Sequence, residues 1–390
     1  MTGRRIDRSD DDEPGPAYRD AEGLWRVRDF ATARAVLRST TTVQGGLGVD
    51  LVSKLPSRIR RPVLYWDGPE HREYRRQTAQ YFTPKRVHGH YREVMESIVD
   101  EQIARLHRQR RVNLSDLSFA VAVEVAKAVL GLTESRPHTD RRLDRFFPEE
   151  VRTPSFRTVA GFSFFLRQLS WWASFYLGDV RPAIRARRRR RRDDLISHLL
   201  DLGCTDGEIL GECLTTAAAG MVTTREFINV AAWHLLTDAD LRARYVAGDE
   251  AGRLALLHEI VRLEPPAGSL RRRTTAEVGL PDGSSIAAGE VVVVSVSAAN
   301  VDPDAVGESP GSVCPHRTMP SEMPPAGLSF GDGAHRCPGF SIAMLESDVF
   351  LSRLFAIGGL RLSGRPRVAF NPEFASYSVR DLVVTLLSED

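Results

Sequence analysis

Apolar positions change their period along the chain, and that change predicts the elements. Between Pro182 and Pro265 there is no proline, and apolar residues recur at helical spacing, so the middle of the chain reads as mainly α. Within it, DGEILGECLTTAAAGMVTTREFINVAAWHLL (206–236) predicts one continuous helix of about 45 Å at a rise of roughly 1.5 Å per residue. Such a helix crosses a whole domain. In 278–300 the character switches: Pro281-Asp282-Gly283 and Ala288-Gly289 are turn signals, and Val291–Val296 is a β-branched run. A second short strand region is expected in LWRVRDF (24–30). The fold class is therefore mainly α with a small β region, in a flexible N-terminal segment (1–23) and a single domain (24–390). From Asp302 to Leu328 runs a loop rich in Pro, Gly and Ser, and a loop so long inside a domain is usually functional.

Composition narrows the class. Of 390 residues 42% are hydrophobic, enough to bury a substantial core, which excludes a disordered, collagen-like or disulfide-stapled chain. With only Cys204, Cys213, Cys314 and Cys337, no run near the roughly 20 apolar residues of a membrane span, and a polar start (MTGRRIDRSDDDEPG), the expected setting is a reducing cytoplasm with no membrane partner. Lys+Arg number 53 against 51 acids, and since Lys54, Lys85 and Lys127 are the only lysines, 50 are arginines. The run RPAIRARRRRRRDD (181–194) has no interleaved aromatics and is closed by Asp193 and Asp194, so it reads as a solvated helix end or inter-helix surface, not as a nucleic-acid or anionic-membrane contact.

The densest local chemistry lies in LSFGDGAHRCPGFSIAMLES (328–347). Two glycines flank Asp332, His335 and Arg336 precede Cys337, and an amphipathic helix starts just after Pro338-Gly339. A tight loop thus presents one thiolate at a helix N-terminus, where the macrodipole and nearby cations favour anionic sulfur. A thiolate so held is a metal ligand or a nucleophile. The loop resembles the haem-binding loop of the cytochrome P-450 family, Phe-Gly-x-Gly-x-His-x-Cys-x-Gly, at Phe330, Gly331, Gly333, His335, Cys337 and Gly339. Two other readings stand beside it: a zinc site from Cys314, His316, His335 and Cys337, for which one-residue ligand gaps are too short, and a buried core cysteine.

Distant segments extend the resemblance from Trp25 to the C-terminus. HEIVRLEPP (258–266) sets Glu259 and Arg262 at i, i+3 and looks like the family's Glu-x-x-Arg helix, with Arg317 as third member of an ion-pair network. His71 and Arg75 stand at i, i+4, the family's pair for the haem propionates, with His335 and Arg272 completing the set. Gly220 sits where alanine is cheaper by about 1 kcal/mol, which signals a need for space. AGMVTT (219–224) resembles the oxygen-binding groove, with Thr223 bonding back toward the Ala219 carbonyl and donating to bound oxygen.

One departure stands out. The acid that usually precedes the threonine is Val222, which relays no proton; Glu226, a turn further on, either substitutes through water or is held at the surface by Arg225. The resemblance implies the family's triangular fold, haem b (iron protoporphyrin IX) between the long helix and the cysteine loop, Cys337 as axial thiolate, and monooxygenation of a small organic substrate by O2 with electrons from a ferredoxin and its reductase. Secondary metabolism is the expected context. Arg72, Arg76, Lys85 and Arg86 would attract that acidic partner. Competing readings are an oxidase that couples or cleaves with substrate-assisted proton delivery, a non-catalytic haem-binding or sensor protein, and a zinc-stabilised helical protein. The aromatic-rich segment 146–178 falls where the family covers its substrate.

Overall fold

The computed structural model describes residues 3–7, 15–46, 49, 60–145, 159–319, 323–371 and 375–387. Strands β1 (Tyr18–Arg19) and β2 (Trp25–Val27) come first, then helix α1 (Phe30–Arg38) and β3 (Thr42–Gln44). The strand expected across 24–30 stops short because Asp29 accepts from the Thr32 N–H and caps a helix instead. Helix α2 (Gly68–Thr78) precedes α3 (Arg92–Gln109), β4 (Arg111–Asn113) and α4 (Leu114–Leu130). Next come α5 (Val159–Phe175), α6 (Arg181–Arg189) and α7 (Leu195–Asp201).

The long helix of the sequence forms as two α-helical halves, α8 (Asp206–Ala217) and α9 (Thr223–Thr237). A π-helical turn over Ala218–Val222 joins them. Its start is set by a capping box, Thr205 and Glu208 each bonding the other's backbone N–H. The remaining elements named here are α10 (Glu250–Leu263), β5 (Ser269–Thr274), β6 (Val291–Ser295), α11 (Phe340–Phe355), β7 (Leu360–Leu362) and β8 (Val383–Leu386).

The larger sheet has the order β1-β2-β6-β5-β3. Its pairs are antiparallel except β2 with β6, where Trp25 lies opposite Val292 and Val27 opposite Val294. A second sheet, β4-β8-β7, is antiparallel. The main core joins α3, α4, α9, α10 and α11 through residues such as Val99, Leu117, Phe227, Ile260 and Phe350. A second cluster (Val123, Ile184, Ile196, Ile209, Met221) packs beside it, and a third (Val36, Val292, Val294, Leu328) lies under the larger sheet.

Near the N-terminus, Arg4 donates from Nε to the Leu263 carbonyl at 3.1 Å and from Nη2 to the Ser297 carbonyl at 2.5 Å. The Arg5 N–H meets the Glu264 carboxylate, and Ile6 is buried in the main core. The arginine run is less solvated than the sequence suggests: Arg187 is buried between Glu134 and Asp194, the residue that caps α7. Among the described residues no helix is long and apolar enough to cross a membrane.

Candidate active site

The cysteine loop is built from backbone that only glycine adopts cheaply. Gly331 and Gly333 have φ of +69° and +66°, and a Cβ on Gly333 would collide with the Leu37 carbonyl at the end of α1. Asp332 fixes the loop from the same side, receiving Arg34 Nε at 3.1 Å, Arg38 Nε at 2.9 Å and the Gly333 N–H at 2.7 Å. The Cys337 N–H donates to the Phe330 carbonyl at 2.8 Å, and the Phe330 ring stands edge-on to Phe340, centroids 4.9 Å apart. His258 stacks against Phe340 as well, at 5.6 Å.

Gly339 is the N-cap residue of α11, so the free N–H groups of the first turn lie next to the sulfur. Burial raises the Cys337 thiol above its ordinary value, while the Gly339 and Phe340 N–H groups and the guanidinium charges of Arg75 and Arg336 pull it back toward thiolate.

His71, Arg75, His335 and Arg272, which lie far apart in sequence, gather on one side of this loop. His71 is buried and stacks on His335 with centroids 4.2 Å apart and planes 19° from parallel. Burial, with the charges of His335 and Arg75, lowers His71 to about 4. Arg75 Nη2 donates to the Arg336 carbonyl at 2.6 Å. On β5 side chains alternate, and Arg272 alone of the arginine triplet is buried, its guanidinium lowered by desolvation to about 10 yet still charged at neutral pH.

Sequence reasoning missed two members of this cluster. Asp67 accepts from His335 Nε2 at 2.8 Å and from the Gln44 N–H at 3.2 Å, and the Gln44 side chain receives Arg272 Nη1. Only the Asp67-Gly68-Pro69 helix start hinted at the first.

The central helix also has an open stretch. Ala219 and Gly220 are exposed although the turns on either side are buried, and nothing lies within 4 Å of where a Gly220 Cβ would be. Thr223 Oγ1 donates to the Ala219 carbonyl at 2.6 Å, within the π-helical turn. Glu226 is neither free nor at the surface: it is buried, with Oε1 receiving Arg225 Nε and Arg380 Nη1 at 2.8 Å each, and Oε2 the Val379 N–H at 2.7 Å. Of the two alternatives for Glu226, the surface position is corrected by this burial, and the three donors give both carboxylate oxygens a structural role.

The Glu259 network forms as expected. Arg262 donates to both Glu259 oxygens at 2.8 and 3.0 Å, Arg317 Nε to Oε2 at 3.2 Å, and the Cys314 N–H to the same oxygen at 2.9 Å. The guanidiniums also hold the carbonyls of Asn300, Glu308, Ser309, Pro310 and Ser312, so two cations fasten the long loop to α10. The zinc reading fails on placement. Among the described residues no three His, Cys, Asp or Glu side chains are arranged to hold a metal ion.

Three features fit a haem: an approachable sulfur at a helix start, an open helix face, and a buried cationic set. The fit is sharpest at His71, whose buried Nδ1 has no hydrogen-bond partner among the described residues, beside two arginines suited to a carboxylate. On the basic face, Arg72 and Lys85 are exposed, but Arg76 is paired with Glu73 and Arg86 with Asp193. Of the aromatic segment, 146–158 lies outside the described residues; in the rest Phe164 and Phe175 are buried.

Comparison with known proteins gives the same reading. The cytochrome P-450 family profile matches residues 254–356, which hold both the Glu259 network and the cysteine loop. The vitamin D(3) 25-hydroxylase of Pseudonocardia autotrophica is 27% identical over 353 residues, covering 85% of this chain and 80% of that protein. The mycinamicin IV hydroxylase/epoxidase of Micromonospora griseorubida is 28% identical over 362 residues, 89% of this chain and 85% of its own length. In fold the chain is similar to the crystal structure of P-450 BioI in complex with a fatty-acid-ligated acyl carrier protein, with a TM-score of 0.77, 23% identity and 95% of each chain covered. On the loop, the network and these relatives together, the chain is similar to the bacterial-type, haem-dependent oxygenases of the cytochrome P-450 family.

Proposed function

We propose that this chain is a cytoplasmic monooxygenase of secondary metabolism that binds haem b through Cys337, oxidises a small organic substrate and takes electrons from a ferredoxin and its reductase. The observation that carries the ligand is the Cys337 sulfur set against the Gly339 and Phe340 N–H groups beside Arg75. His71, Arg75, Arg272 and His335 would hold the two propionates, and Phe330 and Gly339 would close the sulfur side from water. Bound there, a thiolate-ligated haem supplies O2 activation for attack on a C–H bond. Relatives named for hydroxylation support insertion of oxygen as the outcome.

The protein's own part is proton handling, and here this chain is unusual. Val222 has no proton to give and Glu226 is fully engaged. With its hydrogen committed to the Ala219 carbonyl, Thr223 Oγ1 offers lone pairs to the open side, where Gly220 leaves room. It accepts a hydrogen bond from a substrate hydroxyl, amine or held water, and donates outward only on releasing Ala219. This favours proton supply by the substrate itself, and hence keeps a coupling or cleaving oxidation as the second reading. The exposed Arg72 and Lys85 support docking of an acidic electron donor.

The test is a carbon monoxide difference spectrum of the reduced protein, parent against Cys337→Ser. A thiolate-type band in the parent that is lost in the variant is expected; an unchanged band rejects the ligand. Product formation with a surrogate ferredoxin, reductase and NAD(P)H then tests turnover, and identification of an oxygenated, coupled or cleaved product separates the two readings.

A further inference from the structure

Eight arginines lie between Arg181 and Arg192, and they divide into two groups. Four have carboxylate partners: Arg187 with Glu134 and Asp194, Arg188 with Asp206, Arg191 with Asp201, and Arg192 with Glu134. Among the described residues Arg190, just past the helix, meets no acid, and neither do Arg181, Arg185 and Arg189. These last three follow one another at i, i+4 and i+8 on α6, a rise of about 6 Å each, and line an open cleft of about 610 Å³ together with Arg136 from the loop after α4. The apolar wall is Leu177, Pro182 and Ala186. Glu134 also lines the cleft, but its carboxylate is taken by Arg187 and Arg192. Among the described residues none of the four cleft guanidiniums meets an acid.

Like charges at i, i+4 destabilise a helix, and α6 repeats that arrangement along one face while its other arginines are neutralised. What is missing is an anion. Arginines line the cleft from two elements, and guanidinium forks suit phosphate oxygens taken two at a time. The cleft is concave and within the usual size of small-ligand sites, roughly 300–1,000 Å³, so a flat bilayer cannot reach its walls.

We propose that the cleft formed by Arg136, Arg181, Arg185 and Arg189 binds a small polyanion carrying at least two phosphate charges. The phosphates bridge α6 and the loop after α4, and Leu177 and Pro182 offer an apolar surface to whatever the phosphates are attached to. Binding is independent of the cysteine loop and of turnover.

The experiment is isothermal calorimetry on the haem-loaded, full-length protein with inorganic pyrophosphate and, separately, with ADP. Saturable binding at one site is expected, weakened by added salt and at least tenfold weaker in Arg185→Gln and in Arg136→Gln. Arg190→Gln, exposed and outside the cleft, should bind as the parent does. Because Arg136 and Arg185 stand on different elements, misfolding of one variant, read by circular dichroism, leaves the other to decide. Pyrophosphate binding equal to ADP assigns recognition to the phosphates alone, and tighter ADP binding adds the apolar wall. Absence of saturable binding by either anion overturns the site. So does equal weakening by Arg190→Gln, which would mean diffuse charge attraction, or binding of phosphatidylserine vesicles without pyrophosphate binding.

Discussion

Arg380 Nη1 lies 2.8 Å from Glu226 Oε1, joining the end of a C-terminal strand to the first turn of α9. The carboxylate is a structural anchor, since Arg225 and the Val379 N–H claim it too. Glu226→Ala should therefore cost stability, about 3–5 kcal/mol for a broken buried pair, read as a lower unfolding midpoint. Product formed per electron consumed should stay at the parental value. A drop in that ratio at unchanged midpoint would return Glu226 to the proton path.

Val222→Asp tests whether the pocket was built without an acid. A carboxylate buried beside Thr223 costs stability unless a donor meets it, so coupling of NAD(P)H oxidation to product should be unchanged or reduced. Thr223→Ala should raise peroxide release. A clear gain in coupling from the aspartate, or indifference to loss of the threonine, contradicts substrate-assisted proton supply.

Glu259→Ala removes the one carboxylate shared by Arg262, Arg317 and the Cys314 N–H. Two buried cations lose their partner at once, and the loop they fasten loosens. The expected outcome is poor haem content in purified protein with no change in KM for the fraction that is loaded; normal haem content with altered substrate preference would place the network at the substrate.

Stability should also fall with pH in a window set by Glu346. This glutamate on α11 is buried, one oxygen has no partner among the described residues, and desolvation raises it from 4.5 to about 8. In the unfolded chain it ionises first, so the folded state binds more protons across that interval and loses stability as pH rises through it. Below about 4.5 the contribution is complete, and above about 8 it is gone. Glu346→Gln should flatten the decline in melting temperature between pH 5 and 8; a parallel decline in both proteins rules the residue out.

How much was legible depended on distance along the chain. The cysteine loop could be read because its glycines, cations and sulfur fall within ten residues and serve one backbone geometry. Arg272 could be chosen from its distance to Val278, and strand alternation buries it between two half-buried arginines. The partners of these residues could not be read. Asp67 reaches His335 across 268 positions and Arg34 reaches Asp332 across 298, and nothing local in either sequence marks the pairing. The π-helical turn escaped for another reason: its five residues keep helical spacing, so the apolar pattern passes through it unbroken. The strand at 24–30 was overextended because an Asp29 cap looks like any polar residue until the helix behind it is seen.

The Asp332 pin has a consequence for how the protein is made. Its two arginines are nearly 300 positions upstream, and the parallel pairing of Trp25–Val27 with Val292–Val294 spans a similar interval. Contacts of such sequence separation close the largest loops and raise the entropic barrier before they return any stability. During synthesis the first forty residues leave the ribosome long before the segment they must hold. The thiol-presenting loop is thus among the last parts to reach its final shape, and the nascent chain passes most of its synthesis with no place ready for the cofactor.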